Sequence, residues 1–508
     1  MMNQEQPRRR LSELLQSWVQ LQPDEDVTVA DLSMDSRCAK SGDLFVAVGG
    51  SSVHGAKFIP EAMAKGVAAV VTDNNPVDSR SAVSAAYPGV PVIHVADLHA
   101  KLGQLAQRFF HPAPMDLEII GVTGTNGKSS CAYFLAQCLH TAQQPCGLVG
   151  TLGYGLFAAI HPSNHTTPNV VELHRLLSQF HRQGAKYMVM EVSSHGLDQG
   201  RVDAVDFRVA LFTNLSHDHL DYHKTMDAYG QAKQRLFEVP GLKYAIINVD
   251  DEFGRELCQR IQGQTAVIAV TLNAQVLGGD APVIYANHIE SHGEGTRFDL
   301  ISPWGKATLA VALLGQFNVR NLLTVFGALC CLNMPFNAAV AKISQVTTVP
   351  GRMERFGAKG QPLVVVDYAH SPDALANVLQ ALCPHLGPQA QLWCVFGCGG
   401  DRDVSKRPLM GAIAEQFAHR VILTDDNPRS ENGQDIIKQI LQGCVAPQKV
   451  MVQRDRRQAI QYAISRAKVH DVVLVAGKGH EEYQQIGTHR IPFSDRQVVP
   501  EILKEWAP

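Results

Sequence analysis

GVTGTNGKSS, residues 121–130, decides how the rest of the chain is read. The stretch ends in the Gly-Lys-Ser of a phosphate-binding loop, yet its opening glycine is out of place. A standard loop puts four residues between its two glycines, which here would require glycine at position 122. That position is Val122; Gly121 comes one residue early and Gly124 two late. The flanks restore the reading. Residues 117–122 form an apolar run suited to a buried strand, and the apolar Cys131, Phe134, Leu135, Cys138 and Leu139 fall on one helical stripe. Between strand and helix, Gly124 and Gly127 let backbone N–H groups face an anion at a helix N-terminus. Lys128 can reach the terminal phosphates, and Ser129 offers a hydroxyl to Mg²⁺. The pattern predicts a variant nucleotide loop.

At 508 residues the chain is too long for one ordinary core, so several domains are expected. Hydrophobic residues at 45% and charged residues at 18% describe a soluble globular protein. A formal charge of −3 gives no reason to expect nucleic acid or an anionic membrane as partner. After Arg8-Arg9-Arg10, LSELLQSWVQL reads as an amphipathic helix interrupted by Glu13 and Gln16, without the apolar core of a signal peptide. The stretch NLLTVFGALCCLNM from Asn321 is too short to span a bilayer. The 11 cysteines are odd in number and show no disulfide framework, so reduced thiols and a cytoplasmic placement are expected.

Short Val/Ile-rich runs alternate with helical patterns: LEIIGVTG, YMVMEVSS, VALFTNL and YAIINVDD in the middle, LVVVDYAH, LWCVFGCGG, VILTDD and DVVLVAGKGH near the end. Continuous apolar runs suggest strands buried on both faces, hence parallel sheets covered by helices. LFVAVGG, EAMAKG, VAAVVTD and VPVIHV make a small α/β domain of their own before residue 100. TTVPGRMER, residues 347–355, punctuates the chain again at Pro350-Gly351. Three α/β domains follow: 1–100, 101–348 and 349–508.

TNLSHDHLDYH, residues 213–223, gathers His217, Asp218, His219, Asp221 and His223. One reading is a metallo-hydrolase, although Tyr222 breaks the expected Asp-His adjacency and such an enzyme has no use for a phosphate loop. Another gives one histidine to a Mg²⁺ beside nucleotide. Glu191, in EVSSH, closes an apolar strand, and in open parallel sheets the strand C-termini edge the ligand crevice. A carboxylate there suits a metal or substrate better than an unpaired burial.

Together these stretches resemble a known family. TGTNGKSS, EVSSHGLDQGRV, TNLSHDHLDYH, YGQAKQRLF, NVDDE, GQFNVRN, PGRMER, DYAHSPDAL, GCGGDRDVSKRPLMG, DDNPRSE and AGKGHE occur in the order found in the Mur ligases, over nearly the whole chain. The resemblance implies an N-terminal UDP-binding domain, a central P-loop ATPase domain with a parallel or mixed sheet, and a C-terminal Rossmann-like domain bringing the amino acid. It implies amide formation through an acyl phosphate, with ATP as co-substrate and Mg²⁺ as cofactor, in a monomeric enzyme of peptidoglycan precursor synthesis. The implied partners are UDP-N-acetylmuramoyl-L-alanyl-D-glutamate and meso-2,6-diaminopimelate.

Carried over by position, uridine should meet Met34, Ser36 and the loop Ser51-Ser52-Val53. The muramoyl peptide should meet His165, Thr166, Thr167, Ser193, Gln199 and Arg201. ATP should lie on Gly124, Thr125, Asn126, Gly127, Lys128, Ser129 and Ser130, with Asn318 near adenine and Arg352 and Asp367 at phosphate and ribose. Mg²⁺ is implied on Ser129, Glu191, His219 and a carbamylated Lys233; Lys128, Glu191, His219 and Lys233 form the catalytic set. Read from its own neighbours, Lys233 is a solvated surface lysine. Diaminopimelate should meet Arg402, Asp426, Asn427, Pro428, Arg429, Gly477 and Glu481. Two residues depart from the family pattern: Ser129-Ser130 replaces Thr-Thr, and His165 stands where asparagine is usual.

Other classes fit less well. A guanine-reading switch needs Asn-Lys-x-Asp, and Asn248-Val249-Asp250-Asp251 lacks the lysine. A folate polyglutamate ligase would begin close to its phosphate loop, which here starts only at Gly121. In a dinucleotide-binding dehydrogenase the third glycine of FGCGGDRD would stand at Arg402. A relative that takes L-lysine is separated by DNPR, a sequence that in the family marks use of diaminopimelate.

Overall fold

In the computed structural model the continuous apolar runs become parallel strands covered on both faces. The structure describes residues 8–50, 53–73, 89–111, 113–163, 165–273, 281–292, 295–387 and 389–506. Ser51 and Ser52 lie outside the described residues. The chain forms two compact units, one of residues 1–119, 141–208 and 239–241, the other of residues 120–140, 209–238 and 242–508.

The first unit holds a four-stranded parallel sheet in the order Leu32–Ser33, Leu44–Ala47, Ala69–Thr72, Val92–His94. Leu44 and Val46 enter one core, whereas Phe45 and Ala47 enter another with Ile59, Ala62 and Met63. Strand side chains alternate between faces, so LFVA is apolar throughout because neither face meets water. The helix Leu98–Phe110 runs across residue 100 and buries Leu98, Leu102, Leu105 and Phe109 in the first of these cores. A second group of strands follows the order Ala159–His161, Gly153–Leu156, Cys146–Gly150, Tyr187–Glu191, the last pair parallel. The N-terminal helix is shorter than its sequence pattern suggests. It stops at Leu15, and Ser17 takes a left-handed φ of 66°.

In the second unit, the strand Glu118–Thr123 neighbours Phe207–Phe212, followed by Tyr244–Asn248, Ala266–Thr271, Val283–His292, Gly295–Ser302 and Gly305–Val311. The pairs from Phe207–Phe212 to Val283–His292 are parallel, and the last three strands form an antiparallel meander. The helix Gln316–Cys331 is buried nearly all round, as its unbroken apolar run requires. Among the described residues no helix is long and apolar enough to cross a membrane. All 11 cysteines are free thiols.

The C-terminal sheet has the order Glu354–Phe356, Leu363–Asp367, Val472–Ala476, Leu392–Phe396, Arg420–Leu423, Met451–Val452, parallel except for its first pair. Val365, Cys394, Phe396 and Leu474 fill one face, and Val364, Val366, Val395 and Val475 the other. The strand Val472–Ala476 inserts between Leu363–Asp367 and Leu392–Phe396. This makes a switch in strand order, where open sheets bind ligands beyond the strand C-termini. DYAH, GCGGDRD, DDNPR and AGKGH all emerge at those C-termini.

One ion pair holds this layer together. Arg456 and Asp495 are both 0% exposed, joined by contacts of 2.8 Å at Nε–Oδ1 and Nη2–Oδ2, and Arg456 Nη2 also donates to the Ala476 carbonyl at 2.9 Å. Asp495→Ala leaves a buried guanidinium without its anion, which costs about 3–5 kcal/mol. Urea unfolding followed by fluorescence should show a loss of that size; a loss below about 1 kcal/mol would contradict the assignment.

Candidate active site

The phosphate loop is held in shape by the strand end beside it. Gly124 and Gly127 take φ of +145° and +87°, and a Cβ on Gly124 would overlap Thr213 Oγ1. Only glycine fits there without strain. Thr213 Oγ1 and Asn214 Nδ2 both donate to the Asn126 carbonyl, at 2.6 and 2.9 Å, and Asn126 N donates back to Asn214 Oδ1 at 2.9 Å. Lys128 opens the helix Lys128–Leu139 and donates to the carbonyls of Gly124 and Thr125 at 2.9 and 2.8 Å. Ser129 is buried, and its Oγ accepts a 3.2 Å hydrogen bond from Arg352 Nη2.

Beside the loop is a cavity of about 370 Å³, lined among others by Asn126, Gly127, Ser130, Asn318, Arg352 and Asp367. The structure thus brings six of the expected ATP residues onto one wall system. Asn318 donates to the Leu314 carbonyl at 2.9 Å. Asp367 accepts from the backbone N–H of Met353 and Ala369, each at 2.7 Å. Burial nonetheless pushes its carboxyl above its ordinary value, against the opposing effect of Arg352 and those two donors. The cavity also contains residues the motif reading left without a role: Asp250, Arg320, Tyr368, His370 and Asp373. Asp373 Oδ2 accepts from Asn126 Nδ2 at 3.0 Å, and Asp250 pairs with Arg320 at 3.0 Å. Asp250, Arg320, Tyr368, His370 and Asp373 stand in the motifs NVDDE, GQFNVRN and DYAHSPDAL.

The histidine cluster does not converge on a metal. His217 and His219 are exposed, His223 is buried, and no group of three His, Cys, Asp or Glu side chains gathers as a metal site among the described residues. His219 takes a left-handed φ of 55° and sets its ring 6.0 Å from that of Tyr229. Burial raises the Asp218 carboxyl, but His219, His370 and Lys406 more than offset it, leaving the group below its ordinary value.

Lys233 corrects the expectation of a solvated lysine. It is 1% exposed, its Nζ donates to the Gly124 carbonyl at 2.8 Å, and it lies 4.3 Å from the Tyr229 ring centre. Tyr229, Ala232, Leu236 and Phe237 form the buried stripe of this segment, and Lys233 sits within it. Burial first, and the nearby Lys128 second, hold the amine well below its ordinary pKa, with Asp218 opposing.

A polar cluster stands in the first unit. Glu191 is buried, and its carboxylate accepts from Thr151 N at 2.7 Å and Thr151 Oγ1 at 3.1 Å. Thr151 Oγ1 lies 3.1 Å from Thr166 Oγ1. Thr167 Oγ1 donates to the Glu191 carbonyl at 3.0 Å and accepts from Ser193 N at 3.0 Å. Arg201 donates to the Thr167 carbonyl at 2.8 Å and to Gln199 Oε1 at 2.6 and 3.0 Å. Five expected peptide residues and Glu191 therefore share one network. His165 stands apart, with an exposed ring and its backbone tied to Ser163. Ser36 is buried, its hydroxyl donating to Glu61 at 2.8 Å; Met34 packs partly on the core, and Val53 is 43% exposed.

At the C-terminal strand ends, Arg429 is a non-glycine residue held at φ 51°. Its N donates to the Gln485 carbonyl at 3.0 Å, its carbonyl accepts from Gly487 N at 2.7 Å, and its Nη1 donates to the Gly400 carbonyl at 2.7 Å. A strained conformation fixed on three sides is the kind of backbone that binding sites retain. Asn427 is buried and donates to Glu481 at 2.9 Å; it accepts from Gln485 N at 2.8 Å. Pro428 is buried behind it, and a Cβ on Gly477 would come within 2.6 Å of Asp426 Oδ2. Arg402 is exposed. Motif reading missed Lys478, fully buried, which pairs with Glu481 at 2.9 Å and Asn427 at 3.1 Å. It missed Arg407 too, also fully buried, bound to Glu431 at 2.7 Å and to the Gly399 carbonyl at 3.0 Å.

Three family profiles match the chain: the Mur ligase family catalytic domain at residues 28–110, the Mur ligase middle domain at 122–329, and the Mur ligase glutamate ligase domain at 351–479. A UDP-N-acetylmuramoyl-L-alanyl-D-glutamate–2,6-diaminopimelate ligase of Alkalilimnicola ehrlichii is 45% identical over 502 residues, covering 98% of this chain and 99% of the relative. The chain belongs to the Mur ligase family. A Pseudomonas aeruginosa Mur ligase of the same description is 44% identical, covering 96% of this chain and 97% of its own length. A solved structure with that description superposes with a TM-score of 0.70 at 34% identity, covering 98% and 99% of the two chains. This Mur ligase has the three-domain α/β architecture of the family and is an ATP-dependent amide-forming ligase.

Proposed function

We propose that this Mur ligase joins meso-diaminopimelate to the D-glutamyl γ-carboxylate of UDP-N-acetylmuramoyl-L-alanyl-D-glutamate. Residues 1–100 take the uridine end, residues 101–348 the ATP, and residues 349–508 the incoming amino acid. A carboxylate is a poor acyl donor at neutral pH. It attacks the γ-phosphate of ATP, and the resulting acyl phosphate is then opened by the amine. Two anions must approach each other in the first step, which favours a site built from Lys128, Arg352 and loop N–H groups around one phosphate.

Thr166, Thr167, Ser193, Gln199 and Arg201 orient the peptide, with His165 at the edge of that network. Ser129, Glu191, His219 and a carbamylated Lys233 would hold Mg²⁺. A hydroxyl, a carboxylate and a carbamate are hard oxygen donors suited to that ion, and the buried Lys233 amine, its pKa lowered by burial, suits carbamate formation. When bound, the ion would neutralise developing phosphate charge.

The observation that carries the choice of amino acid is the Asp426-Asn427-Pro428-Arg429 turn at a strand C-terminus, with its arginine anchored on Gly400. Diaminopimelate is lysine with a second carboxylate at its far end, and a guanidinium can grip that carboxylate bidentately. With Gly477 and Arg402, Arg429 would read this end. Glu481 already has the Lys478 ammonium beside it, so it meets the substrate's ammonium as a shared anion. Lysine would leave Arg429 without its partner, at about 2–5 kcal/mol. That corresponds to about 30- to several-thousand-fold in kcat/KM, at ~1.4 kcal/mol per factor of ten. Phosphate release measured with each amino acid tests this, and comparable kcat/KM values would refute it. Arg429→Ala should raise KM for diaminopimelate and leave KM for ATP unchanged.

A further inference from the structure

Amide formation poses a proton problem that the residues assigned so far do not solve. The incoming amine is an ammonium at neutral pH and cannot attack carbon until it loses a proton. Glu481 is already engaged by Lys478 and Asn427. We propose that His370 Nε2 is the base that accepts the proton from the incoming amine. This rests on the reading of amine attack on an acyl phosphate.

His370 lines the cavity that also holds Asn126, Gly127 and Arg352. Its Nδ1 lies 2.7 Å from the Tyr368 carbonyl, which can only accept, so Nδ1 carries the ring proton. In the neutral ring Nε2 is then a bare lone pair, and it makes no hydrogen bond among the described residues. The Tyr368 ring packs edge-on at 4.6 Å and fixes the imidazole plane. Lys406 Nζ donates to the His370 carbonyl at 2.9 Å. Lys406 opens the helix Lys406–Phe417 just after GCGGDRD, whose Gly400 carbonyl accepts from Arg429, so the segment after Leu392–Phe396 hydrogen-bonds to both the His370 carbonyl and the Arg429 guanidinium.

The charges facing the ring come from three segments: Asp218 from the histidine loop, Lys406 from the start of the helix Lys406–Phe417, and Arg352 from PGRMER. Burial and Lys406 push the imidazole below its ordinary value, Asp218 and the Tyr368 carbonyl oppose this, and Arg352 adds to it. The ring is therefore neutral at working pH, and the same cations disfavour an ammonium beside them. The step balances as follows. One ammonium proton moves to Nε2, the amine lone pair forms the C–N bond, and the acyl C–O bond breaks with its electron pair going to phosphate. The second nitrogen proton leaves with the phosphate, and the imidazolium returns its proton to solvent.

His370→Asn keeps a donor for the Tyr368 carbonyl and removes Nε2; His370→Gln is the companion variant should the first fail to fold. Ligation should fall about 10²- to 10⁴-fold with KM for ATP unchanged. Hydroxylamine, unprotonated at neutral pH, needs no base, so hydroxamate formation from the acyl phosphate should stay near wild type. At saturating substrates the wild-type rate should rise with pH through a limb below the ordinary histidine value, and that limb should vanish in the variant. Wild-type ligation in His370→Asn, or an equal loss of hydroxamate and ligation, overturns the base assignment. Absence of hydroxamate with the wild type overturns the acyl-phosphate reading itself.

Discussion

Lys128→Ala is expected to lower ligation by about 10³- to 10⁵-fold, the range seen when a cation that follows a transferring phosphoryl group is removed. Lys128 is the only lysine of the loop, and its Nζ sits over the Gly124 and Thr125 carbonyls at 2.9 and 2.8 Å. From there a change of rotamer carries it to a phosphate on the loop. Nothing in its surroundings makes it a core residue: it is half-buried at the first turn of its helix. The variant should therefore melt within a few degrees of wild type while phosphate release drops to background. Turnover above a few per cent of wild type would show that the loop does not handle the γ-phosphate. A second consequence reaches Lys233. Lys128 is one of the groups that lower the pKa of that amine, so its loss should raise the Lys233 pKa and reduce carbamate formation as well.

The second large effect is expected at Lys233. A neutral amine adds CO₂ to become a carbamate, turning a cation into an anion; a protonated amine cannot. Burial and Lys128 lower the pKa of this amine below its unfolded value and so favour the neutral form. Lys233→Ala should cost about 10²-fold or more, as loss of groups supporting a metal site does. It also leaves the Gly124 carbonyl without the 2.8 Å donor it has here. Short carboxylates such as acetate should restore part of the activity by occupying the vacated volume. A ¹³C carbamate signal from wild type in labelled bicarbonate, absent in the variant, gives a readout independent of turnover. Full activity in Lys233→Ala would end the assignment.

Local pattern carried the fold a long way. A strand buried on both faces must be apolar at every position, so LFVAV, YMVME, VALF and VVLVA announced parallel sheets without any knowledge of their partners. The phosphate loop was legible for a similar reason. Glycines, a lysine and a helix stripe lie within twenty residues, and backbone stereochemistry acts over that range. The turns that follow DYAH, GGDRD, DNPR and GKGH could be placed at strand ends because Gly, Pro and Asp stop strands.

What short-range pattern could not reach is burial and charge decided by residues far apart in sequence. Lys233 looked solvated because lysine nearly always is; only its place on the Tyr229–Phe237 stripe, packed beneath Gly124, puts it inside. Glu481 was legible as a substrate contact, but its pairing with Lys478 and Asn427 was not. Asp218, His370 and Lys406 occur in three separate motifs, and each alone reads as a polar loop residue. The sequence by itself determined the sheets, the loop and the polar residues available at each strand end. Tertiary structure alone decided which of them lose their water and which charges face one another, because desolvation and Coulomb energy depend on distance in space.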